Sequence, residues 1–190
     1  MGLTRILYLL LLVAVGAGRL IELRISARNR ERMSQRGAVR VAEPGFHWMV
    51  ALHTGFLVSA ALEVFLLRRP FIPALAISMG ALFLFATCLR WWVIQTLAGH
   101  WNAQVMNSVK LGVITRGPYR WVRHPNYLAV IIEMFSLPLI HTAYLTAIWA
   151  TLVNAWILHS RLAVEEGVLL ADPAYRAAMA PKARFFPGIF

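Results

Sequence analysis

Gly117-Pro118-Tyr119-Arg120-Trp121-Val122-Arg123-His124-Pro125-Asn126-Tyr127 runs without a break into the apolar Leu128-Ala129-Val130-Ile131-Ile132. A turn-forming Gly-Pro, arginines, a histidine and two tyrosines therefore stand at the mouth of a hydrophobic segment. Charged side chains are costly inside hydrocarbon, so such a cluster marks the water-side end of a membrane helix. It is also where a soluble, charged ligand can be held. The stretch predicts a membrane enzyme whose cofactor enters from the water side.

The rest of the chain supports that reading. Of its 190 residues 59% are hydrophobic and 14% charged, too apolar a mixture to be hidden around one soluble core, so lipid belongs to the solvent. Apolar runs predict about five spans, at residues 3–23, 47–67, 73–97, 127–140 and 142–159. The first three reach the roughly 20 residues that a bilayer requires, and the last two are short. Their tight His141-Thr142 link makes them a helical hairpin. Arg19, Glu22 and Arg24 follow the first run where a small-residue cleavage site would be wanted, which predicts a retained helix. The expected fold class is all-α: one polytopic membrane domain, with residues 1–98 as helical scaffold and 99–190 carrying the chemistry.

A formal charge of +11 invites a nucleic-acid reading, but its distribution argues for topology. Arg24, Arg28, Arg30, Arg32, Arg36 and Arg40 lie between the first two spans, and Lys110, Arg116, Arg120 and Arg123 between the third and fourth. Arg176, Lys182 and Arg184 lie in the tail, and only Arg5, Arg68 and Arg69 fall on the other face. The positive-inside rule then places the N-terminus outside and the C-terminus in the cytoplasm. Anionic membrane lipids are the expected partners of the basic loops. No nucleic-acid-binding module accompanies them, so no nucleic-acid partner is expected. The 24–40 segment has two readings, a short amphipathic helix along the interface or a solvated basic loop.

Several chemistries lack their residues. Cys88 stands alone within the third span and reads as a packed thiol. The histidines show no metal-ligand spacing, so no metal site is expected, and no Gly-x-Gly-x-x-Gly marks a dinucleotide fold. Glu63 and Glu133 interrupt apolar runs and need partners or a cavity. Glu133 either lines the cavity entered beside His124 or pairs with Arg90. The stretch 99–117 reads as extended loop, whose backbone amides can meet an adenine edge while Val113 and Ile114 pack on its face. A second polar cluster, Asn154, His159, Arg161, Glu165 and Glu166, follows the hairpin. Arg161 and Glu165 share a helical face and Glu166 turns away from it. They form either a surface ion pair or a substrate contact.

Taken together, Gly117-Pro118-Tyr119, then Arg123-His124-Pro125-Asn126-Tyr127, then Arg161-x-x-x-Glu165-Glu166 resembles the isoprenylcysteine carboxyl methyltransferase family of membrane enzymes. The likeness covers residues 91–190. Ser26-x-Arg28-Asn29 and the His53 region also resemble bacterial members found beside type III polyketide synthases, which O-methylate alkylpyrones or alkylresorcinols. The resemblance implies a helical membrane protein, of a bacterial inner membrane, that binds S-adenosylmethionine between its cytosolic loops and the bilayer. Leu111, Gly112, Val113 and Ile114 would surround the adenine, and Tyr119 would close over the nucleoside. His124, Pro125, Asn126 and Tyr127 would hold the methionine end, with Glu166 supporting the cofactor side. Arg161 and Glu165 would meet the acceptor, Glu165 as a base or as the partner that holds Arg161.

One departure concerns Asn102-Ala103-Gln104, which has alanine where prenylcysteine enzymes often have histidine. The Arg-His-Pro-x-Tyr piece also occurs in sterol reductases, which makes an NADPH-dependent membrane reductase the alternative. A non-catalytic membrane scaffold is a further one. The expected partner is a lipophilic small molecule whose tail stays in the bilayer, with a polyketide synthase as functional neighbour.

Overall fold

The computed structural model describes residues 2–43, 45–107 and 111–186; Lys110 of the basic loop lies outside them. The first helix, α1, runs over Leu3–Gln35. At 33 residues it extends about 50 Å, well beyond the roughly 30 Å of bilayer hydrocarbon. Most of the 24–40 segment is therefore neither a separate interfacial helix nor a loop: residues 24–35 continue α1, and the chain then turns at Arg36–Gly37 into the strand Val39–Arg40. Loop contacts hold that extension. Asn29 Nδ2 donates to the carbonyls of Ala98 and Trp101, at 2.9 and 2.8 Å, and Arg30 donates to Gln104 Oε1 at 2.8 Å. The helix stops at Gly37, whose φ of 87° suits glycine. Paired bonds from Gly37 N–H to Ser34 O and from Ala38 N–H to Met33 O complete a Schellman end.

Five more helices follow: α2 (Phe46–Leu66), α3 (Pro73–Leu97), α4 (Pro125–Leu139), α5 (Tyr144–Leu169) and α6 (Pro173–Met179). Pro73, Pro125 and Pro173 each occupy the first turn, where the missing N–H breaks no helical bond. Two short strands, β1 (Val39–Arg40) and β2 (Met106–Asn107), pair antiparallel and staple the end of α1 to the loop after α3.

Helices α1, α2 and α3 are each long and apolar enough to cross a membrane. The short pair forms the expected hairpin, turning at His141–Ala143 with Thr142 at φ 55°. At 15 residues α4 is about 22 Å long, and it is packed between α3 and α5 with most of its residues buried.

Phe56, Ala60 and Val64 of α2, Met134 and Leu137 of α4, and Ala150 and Ile157 of α5 share one core with Tyr8 and Leu12 of α1. Facing outward, Leu10, Ile77, Leu84, Leu152 and Trp156 are all more than half exposed. So much outward apolar surface is stable only when lipid covers it. The chain is an all-α polytopic membrane protein. Cys88 belongs to the outward face of α3 rather than to the packed interior.

The charges inside the spans find partners. Arg19 reaches Glu22 and Glu133, each at 2.6 Å, and Arg90 reaches Glu22 at 2.8 Å. Arg90 also lies 3.9 Å from Glu133, so the four side chains form a neutral knot joining α1, α3 and α4. Glu133 thus pairs chiefly with Arg19, which sequence spacing did not indicate, and Arg90 serves Glu22. At the opposite end Glu63 accepts from the N–H groups of Leu145 and Thr146, at 3.1 and 2.7 Å, and from Arg69 at 2.9 Å. It caps the first turn of α5, where helix N–H groups have no intrahelical acceptor.

Candidate active site

The loop before α4 is shaped by Gly117. Its φ is 58°, and a Cβ there would collide with the Thr96 side chain. Glycine lets the chain pass close to α3 and enter the 3-10 turn Gly117–Arg120, which turns Tyr119 inward. Two residues past that turn the tail crosses back. Val122 bridges Ala183, Arg123 N–H donates to Ala183 O at 2.9 Å, and His124 N–H donates to Arg184 O at 3.0 Å. Lys182 donates to Tyr119 O at 2.7 Å. The tail therefore fixes the approach to α4, where His124 is the capping residue and Pro125 the first helical one.

His124 is buried, and its ring stacks on Tyr127 with centroids 5.4 Å apart. Its Nε2 meets Glu166 Oε1 at 3.0 Å. Arg184 and Arg123 reach the same carboxylate, at 2.7 and 3.3 Å. The neighbouring Glu165 lies on the other edge of the ring, 4.0 Å from His124 Nδ1, and accepts the Tyr127 hydroxyl. One turn back on α5, the Arg161 guanidinium lies over the Tyr127 ring, 5.9 Å from its centroid.

Arg161 is tied from three directions. It donates to Ala103 O at 2.9 Å and to Met49 Sδ at 3.0 Å, and lies 3.4 Å from Glu43 Oε2. Glu43 also accepts the Val105 N–H at 3.0 Å. Burial raises the Glu43 carboxyl above its ordinary range, against the opposing pull of Arg161. Burial likewise raises the hydroxyls of Tyr119 and Tyr175, so both remain protonated donors. Among the described residues the carboxylate paired with Arg161 is Glu43. Glu165, for which holding Arg161 is one of two expected roles and acting as a base the other, is engaged by Tyr127.

Arg161, Met49, Tyr119, Tyr127, His124 and Tyr175 line one cavity of about 550 Å³, with Glu43 behind Arg161. Gly112, Val113, Ile114, Tyr119, His124, Asn126, Tyr127, Arg161 and Glu165 all reach it. Three residues expected beside them do not. Leu111 packs on Met33, Ala38 and Met106; Pro125 is spent on the first turn of α4; and Glu166 stands behind His124 rather than on the wall. From this rim the cavity continues between α1 and α2, past Gly16, Leu20, His53, Leu57 and Val58. Glu43, Met49 and His53 were not read from the sequence as site residues in their own right. The signal for Glu43 was a single acid following a run of arginines; Met49 and His53 offered only a shared helical face.

No group of His, Cys, Asp and Glu suited to a metal ion occurs among the described residues. The chemistry on the wall is that of cation, carboxylate, imidazole and phenol, bordered by apolar surface. It can orient a polar head, stabilise an oxyanion and exclude water.

Comparison with known proteins bears on the same region. The model of the isoprenylcysteine carboxyl methyltransferase family matches residues 76–171. A protein of Bacillus subtilis (strain 168), called uncharacterized protein YpbQ, is 27% identical over 164 residues, 86% of this chain and 96% of its own. An uncharacterized protein of Haemophilus influenzae is 26% identical over 152 residues, 80% of this chain and 88% of its own. The family match begins within α3 and ends just past α5, so it takes in His124, Tyr127, Arg161 and Glu165 but not the α2 wall or Glu43.

Proposed function

The chain belongs to the isoprenylcysteine carboxyl methyltransferase family, a family of membrane methyltransferases, and we propose that it methylates an oxygen of a lipophilic acceptor with S-adenosylmethionine taken from the cytosolic side. The observation that carries this reading is one shared cavity: His124, Asn126 and Tyr127 line it together with Arg161, and it continues between membrane helices past Gly16, Leu20, Leu57 and Val58, with Arg19, Glu22 and His53 also on its wall. A water-borne donor and a greasy acceptor can meet there.

The residues present suit such a donor. Gly112, Val113 and Ile114 offer an apolar, backbone-rich edge for a purine, and Tyr119 an aromatic face. Asn126 Oδ1 is buried with no partner among the described residues, an acceptor for the ammonium of a methionine end. When bound, S-adenosylmethionine supplies a methyl group already activated by its sulfonium. The protein's task is then mostly positioning and exclusion of water.

Arg161 orients the acceptor oxygen, and Glu43 with the Ala103 carbonyl holds Arg161 in place. The Ala103 position, where prenylcysteine enzymes often carry histidine, contributes here through its backbone. A carboxylate acceptor needs no base. A phenol or enol must lose its proton, and Glu165 takes it, while the Tyr127 hydroxyl steadies the glutamate. Isoprenylcysteine carboxylates and alkylpyrones or alkylresorcinols both meet these requirements, and the latter would make a type III polyketide synthase a functional neighbour. The basic loops, gathered at the cavity end of the bundle, support a cytoplasmic location for that end, with the N-terminus outside, by the positive-inside rule.

Purified protein incubated with labelled S-adenosylmethionine and a lipid extract is expected to yield a labelled lipophilic product by mass spectrometry. Affinity for S-adenosylhomocysteine with none for NADPH separates this reading from a reductase. Absence of affinity for both would leave a non-catalytic scaffold.

A further inference from the structure

Below the rim the cavity is not wholly apolar. Asn154 lies on the inward stripe of α5 with Ala150, Ile157, Leu158 and Arg161. It is 5% exposed and lines the cavity, and its amide, bonded to none of the described residues, is open to the cavity and not sealed in the packing. An unpartnered amide at this depth is costly, and intramembrane polar groups of this kind serve ligands by default.

His53 of α2 lines the same cavity. The two helices run antiparallel. Gly45 and Met49 lie against Arg161 at one end, and Glu63 caps Leu145 and Thr146 at the other. That alignment puts His53 and Asn154 level to within about one turn. His53 Nδ1 lies 2.8 Å from Met49 O, and a carbonyl only accepts, so Nδ1 carries the proton. Nε2 is then an acceptor, and it too has no partner among the described residues.

The charges acting on His53 are those of Glu133, Arg90 and Arg19, members of the neutral knot with Glu22. A charged ligand here would add a net charge to hydrocarbon. An uncharged hydroxyl matches both orphans, accepting from the Asn154 amide and donating to His53 Nε2.

We propose that Asn154 and His53 form a second recognition point, at membrane depth, for an uncharged hydroxyl of the acceptor. It lies two helical turns below Arg161, about 10 Å along α5, and the Arg161 guanidinium reaches Met49 of α2, one turn before His53. The inference rests on the methyltransferase reading of the same cavity and specifies its substrate class. The acceptor is a lipophile with two oxygen functions, one presented at Arg161 and a hydroxyl held deeper.

The test uses the full chain in lipid nanodiscs and measures binding of pentadecylresorcinol, with two hydroxyls, against pentadecylphenol, with one, by quenching of tryptophan fluorescence. The wild type is expected to prefer the dihydroxy probe by about tenfold, the effect of one buried hydrogen bond. Asn154→Leu and His53→Phe should each abolish the preference while affinity for S-adenosylhomocysteine stays unchanged. Equal binding of both probes by the wild type, or a preference that survives in both variants, overturns the proposal. Failure of the wild type to bind S-adenosylhomocysteine is a separate outcome that overturns the methyltransferase reading instead.

Discussion

Arg161 is paired with Glu43 at 3.4 Å, across more than a hundred residues of sequence, while Glu165, one turn away on the same helix, is bound by Tyr127. The pair links the end of α5 to the segment between β1 and α2, and Val105 N–H adds the loop before β2. The anchor of the acceptor end is thus built from three separate parts of the chain.

Arg161→Ala is expected to lower kcat by at least about 100-fold with little change in S-adenosylhomocysteine affinity, because the cation faces the acceptor end of the cavity. Calorimetry beside a turnover assay checks this. Equal loss of both would refute the division of the site into acceptor and cofactor ends.

Glu43→Gln keeps an acceptor for Val105 N–H but removes the charge that holds Arg161. A fall of about tenfold in kcat/KM, with cofactor affinity intact, is expected from a looser guanidinium. An unchanged kcat/KM would mean that Ala103 O and Met49 suffice to hold Arg161.

Gly117→Ala should destabilise the protein. The left-handed conformation alone costs about 1–2 kcal/mol for a residue with a Cβ, and the collision with Thr96 adds to it. Adding Thr96→Ala should recover part of the lost melting temperature by relieving the collision but not the backbone strain. A single variant as stable as wild type would show that the loop can move away from α3.

Arg19→Met leaves Glu133 buried and short of its closest cation, and should cost about 3 kcal/mol in denaturation experiments in detergent. Arg19→Met combined with Glu133→Met leaves Arg90 and Glu22 as a neutral pair and should cost less than the single change. A double variant worse than the single would mean that the side chains act independently.

His124→Ala removes a buried contact with Glu166 and the stack on Tyr127, so loss of S-adenosylhomocysteine affinity is expected. Arg184 is about half exposed, and Arg184→Ala should cost no more than about 1 kcal/mol of stability. If instead the Arg184 variant matches the His124 variant in lost affinity, the tail is part of the cofactor wall.

Composition and the apolar runs were enough to place the chain in a membrane, since burial of so many apolar side chains depends on their number and not on their arrangement. Helical periodicity likewise set Glu165 and Glu166 on diverging sides of α5, and the Gly117–Tyr127 stretch located the rim of the cavity. Local sequence could not show that residues 24–35 prolong α1, because their arginines suit a helix, an interface or a loop equally well. Nor could it show which acid meets which base. Arg19 and Glu133, like Arg161 and Glu43, lie on different elements, and only the packing of α1, α2, α4 and α5 brings each pair within a few ångströms. Chemistry of the site was therefore written in residue types, and its pairing was decided by tertiary structure, because in a low-dielectric interior a charge is stabilised by whichever partner the helices carry to it.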